Sequence, residues 1–231
     1  MLQESSVIVV SIMLAFALDA LWEESKRTTE ADLAMVSLES ECRSNLRSCD
    51  EVYKYHFLQA KRFGDFMALP EEEVLAMTDR EATEMTFVFC GPRTFDPSLG
   101  TANSVISTGT FSILQNAELR HELEAILNLT DDTREDVNNM LSYMRMLGQY
   151  EVSLGGPWGF PNQTSWPGKT APDTSYLRPV SGAKLLELRQ NDDYIGRVKL
   201  YQFTAAWYAS ELERLSFQIK KVLGIIERLQ G

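Results

Sequence analysis

The residues most able to do chemistry are few in this chain and widely separated. The two histidines, His56 and His121, fall in different predicted helices, and no pair of Glu-x-x-His motifs exists to hold two metal ions in a bundle. His56 belongs to an apolar helix face and His121 stands between charged neighbours, so both are predicted to be structural. No nucleophile–base pair is evident, and we predict that the chain is not an enzyme and uses no cofactor or metal.

The cysteines and one loop also lack the spacing that reactivity requires. Cys42 and Cys49 are seven residues apart in a helical pattern, about 10 Å along the axis, which is too far for a disulfide. Cys90 could bridge one of them only across helices in an exported body, and buried free thiols are expected instead. Pro167-Gly-Lys-Thr170 ends like a phosphate-binding loop, but Gln163 replaces the earlier glycine, which indicates a turn.

Acidic residues outnumber basic ones, but their clusters do not indicate a metal or catalytic site. Carboxylates cluster at 71–73, 131–132 and 192–193, each at a predicted helix start, where the helix dipole accounts for them. The formal net charge is −11. No basic stripe with interleaved aromatic residues appears, so nucleic acid is excluded as a predicted partner.

Apolar residues spaced three and four apart predict a long first helix after 28–29. Gly64 and Pro70 close it, because proline cannot continue a helix from within. Its predicted inner face consists of Met35, Leu38, Cys42, Leu46, Cys49, Tyr53, Phe57, Ala60, Phe63 and Met67. A second helix is predicted from Pro70, and three short helices with short links, which favour antiparallel packing, fill 98–149. Thr130 is predicted to cap the third of them.

The last helix carries the clearest pattern in the chain. A heptad seam of the coiled-coil kind is formed by Leu212, Leu215, Ile219, Val222, Ile226 and Leu229. Inward positions that extend this helix back to about residue 192 are Tyr194, Ile195, Val198, Tyr201, Phe203 and Trp207. The seam is expected to pack on 38–67 of the same chain, with exchange between two copies as the alternative. Strand signals are nearly absent, so the predicted fold is an all-α antiparallel bundle with long first and last helices.

The N-terminal segment is the most informative part of the sequence. Residues 7–22 form an apolar stripe that ends in Trp22 and is followed by charged residues at 23, 24, 26 and 27. A helix of this length covers about 24 Å, whereas a bilayer core is about 30 Å thick, so preceding residues must extend it. Asp19 lies one turn from the charged end, where it can reach water. We predict a transmembrane anchor at 1–24, touching lipid through Val7 to Trp22, and a helical bundle domain at 25–231; a buried core helix is the alternative.

An irregular segment at 155–179 differs from everything else. It holds five of the eight prolines together with four large aromatic residues, and long irregular loops are often functional. Its aromatic rings could cover an apolar cavity, and its arginine could supply a charge. The predicted ligand or partner contacts are Trp158, Phe160, Trp166, Tyr176 and Arg178.

Three segments resemble a family of uncharacterised bacterial membrane-anchored helical proteins, a domain of unknown function. They are IVVSIMLAFALDALWEE at 8–24, LESECRSNL at 38–46 and VISTGTFSILQNAEL at 105–119. The resemblance implies a single span in the bacterial inner (plasma) membrane followed by a helical bundle, and it supplies no activity. Such proteins usually carry a basic tail before the span, which implies an exported body. Residues 1–6 contain no lysine or arginine, so the side of the membrane that holds the body stays open.

Two functions follow from these features. The preferred one is a membrane-tethered, non-enzymatic helical module that binds a protein partner or associates with a second copy of itself. The alternative is a ligand-sensing pocket, or a hydrolytic one, covered by the 155–179 loop.

Overall fold

The computed structural model describes residues 2–108, 116–156 and 178–230, and leaves out the side chains of 2–10, 87, 88, 90 and 108. The helices in these ranges are α1 (Leu2–Met67), α2 (Glu71–Leu75), α3 (Asp79–Cys90), α4 (Gly100–Thr108), α5 (Ala117–Ser153), α6 (Gly182–Gln190) and α7 (Asp192–Gln230). The predicted all-α fold with long first and last helices is confirmed.

Two helix boundaries differ from prediction. α1 ends at Met67, before Pro70, as predicted, but it begins at Leu2 and runs unbroken through 28–29, whereas the sequence predicted a helix starting after them. Residues 117–153 form a single helix, whereas the sequence predicted a cap at Thr130. No glycine or proline interrupts 117–147, and Thr130 is buried inside the helix, so packing outweighs the capping signal there.

The span predicted at 7–22 is not identified in the described part of the chain. No helix among the residues described there is both long enough and apolar enough to cross a membrane. The predicted segment at 7–22 begins within 1–10, whose side chains lie outside the description.

The chain divides into two compact units. The first contains Met1–Arg47, Pro97–Asn128 and Ser216–Gly231, and the second contains Ser48–Asp96 and Leu129–Leu215. In the first unit, α5 and α7 run antiparallel, because Glu118 pairs with Arg228 and Glu122 with Lys221. Its buried core comprises Leu38, Cys42, Val105, Leu119, Leu123, Ile126, Ile219, Val222 and Ile226.

The second unit is built around an aromatic cluster. The ring of Phe89 on α3 lies 5.1 Å from that of Phe66 and 5.6 Å from that of Phe63, both on α1. The other members of this core are Val74, Ala82, Leu147, Val180, Leu185, Leu186, Leu188, Tyr194, Ile195 and Val198. α1 also contacts α7 in this unit, since the Cys49 thiol donates to the carbonyl oxygen of Leu212 at 3.2 Å.

The heptad seam is buried within the chain itself. Leu212 and Leu215 are buried in the second unit, and Ile219, Val222 and Ile226 in the first. The prediction that the seam packs intramolecularly is confirmed for these residues. Leu229, the last predicted member, is exposed.

The predicted inner faces of α1 and α7 are partly wrong. After Cys49, the buried positions of α1 are Val52, His56, Gln59, Phe63 and Phe66, whereas Phe57 is exposed and Tyr53 and Ala60 are half-buried. On α7, Phe203 and Trp207 point to solvent. The predictions placed apolar residues inward, but polar groups occupy the core positions of α1 because backbone groups satisfy them there.

Candidate functional site

The predicted ligand contacts fall almost wholly outside the described residues. Trp158, Phe160, Trp166 and Tyr176 lie in 157–177, and the structure describes only Arg178, which is exposed. The ligand-sensing or hydrolytic pocket under the 155–179 loop therefore stays a prediction.

Several chemistry-bearing side chains that the structure describes are buried within the fold. Cys42 and Cys49 are buried free thiols, as predicted. Burial, together with the charge of Glu41, raises the pKa of Cys42 to about 12, so its thiol is uncharged and unreactive at neutral pH. In the described ranges, no three His, Cys, Asp or Glu side chains are grouped to hold a metal ion.

His56 lies in a polar clamp that α1 places on the segment after α3. The carbonyl oxygen of Gly91 accepts two hydrogen bonds, from the Tyr55 hydroxyl at 2.9 Å and from Gln59 Nε2 at 2.8 Å. His56 Nε2 lies 2.8 Å from the carbonyl oxygen of Arg93. A carbonyl oxygen can only accept, so Nε2 carries the proton of the neutral ring.

Tyr208 of α7 completes this clamp from the opposite side. The Phe95 amide donates to the Tyr208 hydroxyl at 2.9 Å, and the Tyr208 ring meets the edge of His56 at 5.6 Å. Burial lowers the pKa of His56 and raises that of Tyr208, so both side chains are neutral at pH 7. Both side chains hydrogen-bond to the backbone of the segment after α3.

A second clamp operates in the first unit. Glu41 accepts from the amides of Thr101 at 2.8 Å and Ala102 at 3.0 Å, at the N-terminus of α4. Asn45 makes two bonds to the backbone of Ser98, at 2.6 and 2.9 Å. The carboxylate neutralises the positive end of the α4 dipole and fixes this helix on α1.

A cavity of about 460 Å³ also lies in the first unit. Its lining residues are Ala31, Asp32, Met35, Val36, Asn116, Leu229 and Gln230. The lining is mainly apolar, and Asp32 is its only charged member. A lone carboxylate without an adjacent base or cation gives no catalytic constellation.

The first described turns of α1 expose an apolar surface on every side. All residues from 11 to 30 are exposed, including seven large apolar residues: Ile12, Met13, Leu14, Phe16, Leu18, Leu21 and Trp22. Their exposed fractions range from 50% at Ile12 to 73% at Trp22. We call residues 12–22 the apolar segment. Consecutive residues point in all directions around a helix, so no side of this segment packs against the chain.

Comparison with models of known protein families, with curated proteins and with solved structures found no match. The resemblance to bacterial membrane-anchored helical proteins therefore stays a prediction.

Proposed function

We propose that this chain is a non-enzymatic helical module, tethered to a bilayer through residues 7–22, that holds its helical body at the lipid surface for a protein partner. The observation that carries the proposal is the exposure of the apolar segment on all sides. An amphipathic helix would need cover on one face only, whereas this segment needs an apolar surrounding.

The free energy at stake is large. Burying one large apolar side chain is worth about 1.5–3 kcal/mol, so covering the seven apolar side chains of this segment gains on the order of 10 kcal/mol. Hydrocarbon can cover all of them at once, because lipid chains surround a helix. A single partner helix would cover only one side.

The end of the segment suits a membrane boundary. Trp22 is the last apolar residue before 23–27, where four of five residues are charged, and tryptophan favours the headgroup region. Asp19 lies one turn from this boundary, where a carboxylate can reach water. We further propose the bacterial plasma membrane as the bilayer, which is what the predicted resemblance of 8–24, 38–46 and 105–119 to membrane-anchored proteins implies.

The non-enzymatic part of the proposal is supported by the roles of the chain's reactive side chains. His56 and Tyr208 hold the backbone of residues 93 and 95, and Glu41 caps α4. Each of these groups is already engaged in the fold.

Flotation of the full-length protein with phosphatidylcholine liposomes tests the tether. The protein is reconstituted from detergent and centrifuged through a density gradient. The parent is expected to float, and the Leu14→Asp/Phe16→Asp variant is expected to stay at the bottom, since each buried carboxylate costs about 2.5 kcal/mol or more.

The matched control is Leu33→Asp/Val36→Asp, which places the same charges on exposed apolar residues of α1 beyond the apolar segment. This control is expected to float like the parent. A parent that fails to float, or a segment variant that floats as well as the parent, would refute the tether.

A further inference from the structure

α7 carries an exposed apolar stripe that is separate from its buried heptad seam. Leu200, Phe203 and Trp207 are 44%, 65% and 56% exposed. Their spacing of three and four residues puts them on one side of the helix. Leu212 and Leu215 of the seam are buried in the same unit. The helices that pack on the seam therefore do not cover this stripe.

α5 lies beside the stripe. The Arg197 guanidinium of α7 stacks 4.3 Å from the Tyr150 ring of α5, and the Trp207 indole N–H donates to the Asp136 carboxylate of α5. Met146, 45% exposed, is one turn before Tyr150 and shares its side of α5. We call Asp136, Met146, Leu200, Phe203 and Trp207 the α5–α7 face; all five belong to the second unit.

The Trp207 end of this face is crowded with negative charge. Partial burial raises the pKa of Asp136, and the nearby charges of Glu211, Glu135 and Asp132 raise it further. Arg214 offsets the charge of Glu211, with which it pairs at 2.6 Å, and Arg134 pairs with Asp131 at 2.9 Å. Among the described residues, neither Asp132 nor Asp136 has an ion-pair partner within 4 Å.

We propose that the α5–α7 face docks an amphipathic helix of a partner protein, with apolar side chains against Leu200 and Phe203 and a lysine or arginine towards Asp136. This inference rests on the proposed function and names the chemistry of its partner. The stripe covers about 10 Å, two helical turns, which matches the i, i+3 and i+7 anchors of helix-in-groove recognition. A cation placed among these carboxylates relieves their mutual repulsion, whereas a second acidic copy of this chain or an anionic lipid surface would add to it.

Fluorescence anisotropy with a labelled model peptide tests the docking. The probe is an amphipathic helical peptide of about 18 residues made of leucine and lysine, titrated with the full-length protein in non-ionic detergent. A leucine–glutamate peptide of the same pattern is the charge control, and the signal with empty micelles is subtracted. The lysine peptide is expected to bind, and the glutamate peptide is not.

Three variants locate the site. Phe203→Ser is expected to weaken binding about tenfold or more, as for a central aromatic anchor, and Asp136→Asn about five- to tenfold, with a weaker dependence on salt. Phe57→Ser removes a similarly exposed aromatic ring from α1, which is not one of the two helices of the face, and it is expected to leave the affinity unchanged. Circular dichroism checks that each variant keeps its helix content.

Equal binding of both peptides, or affinity that Phe203→Ser and Asp136→Asn leave unchanged, would overturn the proposal. Self-association that these two substitutions abolish, measured by sedimentation, would also overturn it, because the occupant would then be a second copy. Liposome flotation of the parent does not depend on Phe203, on Asp136 or on the peptide. A protein that floats but does not bind the peptide therefore refutes the docking and not the tether.

Discussion

Protonation of His56 is predicted to destabilise the fold. The side chain is 2% exposed, and its Nε2–H already donates to Arg93. Burial lowers its pKa below the ordinary value of 6.5, and the Arg93 guanidinium acts in the same direction. A second proton would therefore place a cation in a buried site beside another cation.

The direction of the pH dependence follows from proton binding. The unfolded chain takes up a proton near pH 6.5, whereas native His56 takes it up only at lower pH. Stability is therefore full above pH 6.5 and falls as the pH drops towards the native pKa. Between about pH 7.5 and 5.5 this site can lower the free energy of unfolding by at most about 1.4 kcal/mol. Over this range His56 goes from mostly neutral to mostly protonated in the unfolded chain, which favours the unfolded state by a factor of about ten.

Urea denaturation of the full-length protein, followed by circular dichroism across this pH range, measures the effect. The parent is expected to lose up to about 1.4 kcal/mol of unfolding free energy on acidification. His56→Gln is expected to lose this pH dependence, and to be less stable by about 1–3 kcal/mol at pH 7.5, since the Arg93 carbonyl loses its donor.

His121 provides the matched control, because it is the only other histidine and is exposed. His121→Gln should keep the pH dependence of the parent. An unchanged pH slope in His56→Gln, or its loss in His121→Gln, would refute the reasoning.

Two further predictions concern packing and charge within single units. Gly182→Ala should destabilise by more than about 2 kcal/mol, because the new Cβ would overlap the backbone carbonyl of Val74. Gly64→Ala meets nothing within 4 Å and should stabilise by about 0.5–1 kcal/mol; equal urea midpoints for the two variants would contradict this account. Lys221→Met should cost about 1–2 kcal/mol at pH 7, since buried Glu122 loses the 2.5 Å bond that most lowers its pKa. That cost should hold down to about pH 4.5 and shrink as the pH falls further, towards the lowered pKa of native Glu122. A cost that stays constant below about pH 4.5 in urea titrations would argue against it.

The fold class was predictable because apolar periodicity is strong in the long helices. The seam from Leu212 to Ile226 is buried as its heptad spacing predicted. The register of α1 was not predictable past Cys49, because His56 and Gln59 are polar and their acceptors are backbone carbonyls of residues 91 and 93. Nothing in the local sequence of α1 identifies such distant acceptors.

The candidate surfaces were less predictable than the fold. Phe203 and Trp207 continue the apolar spacing of α7, and spacing alone cannot tell a buried stripe from an exposed one on a helix with two apolar sides. The apolar segment, in contrast, was evident from 7–22, because sixteen residues with one charge stand out in any helix. The composition of the segment pointed to a tether more clearly than any motif pointed to a reaction.

The environment of the apolar segment tests the central proposal most directly. A nitroxide label at position 16 or 33, in a full-length chain whose three cysteines are replaced by alanine, is reconstituted in liposomes and probed by electron paramagnetic resonance. We predict that the label at 16 collides readily with oxygen and is shielded from a water-soluble nickel complex, whereas the label at 33 is open to the nickel complex. Equal access of the nickel complex to both labels would contradict the proposal that lipid surrounds this segment.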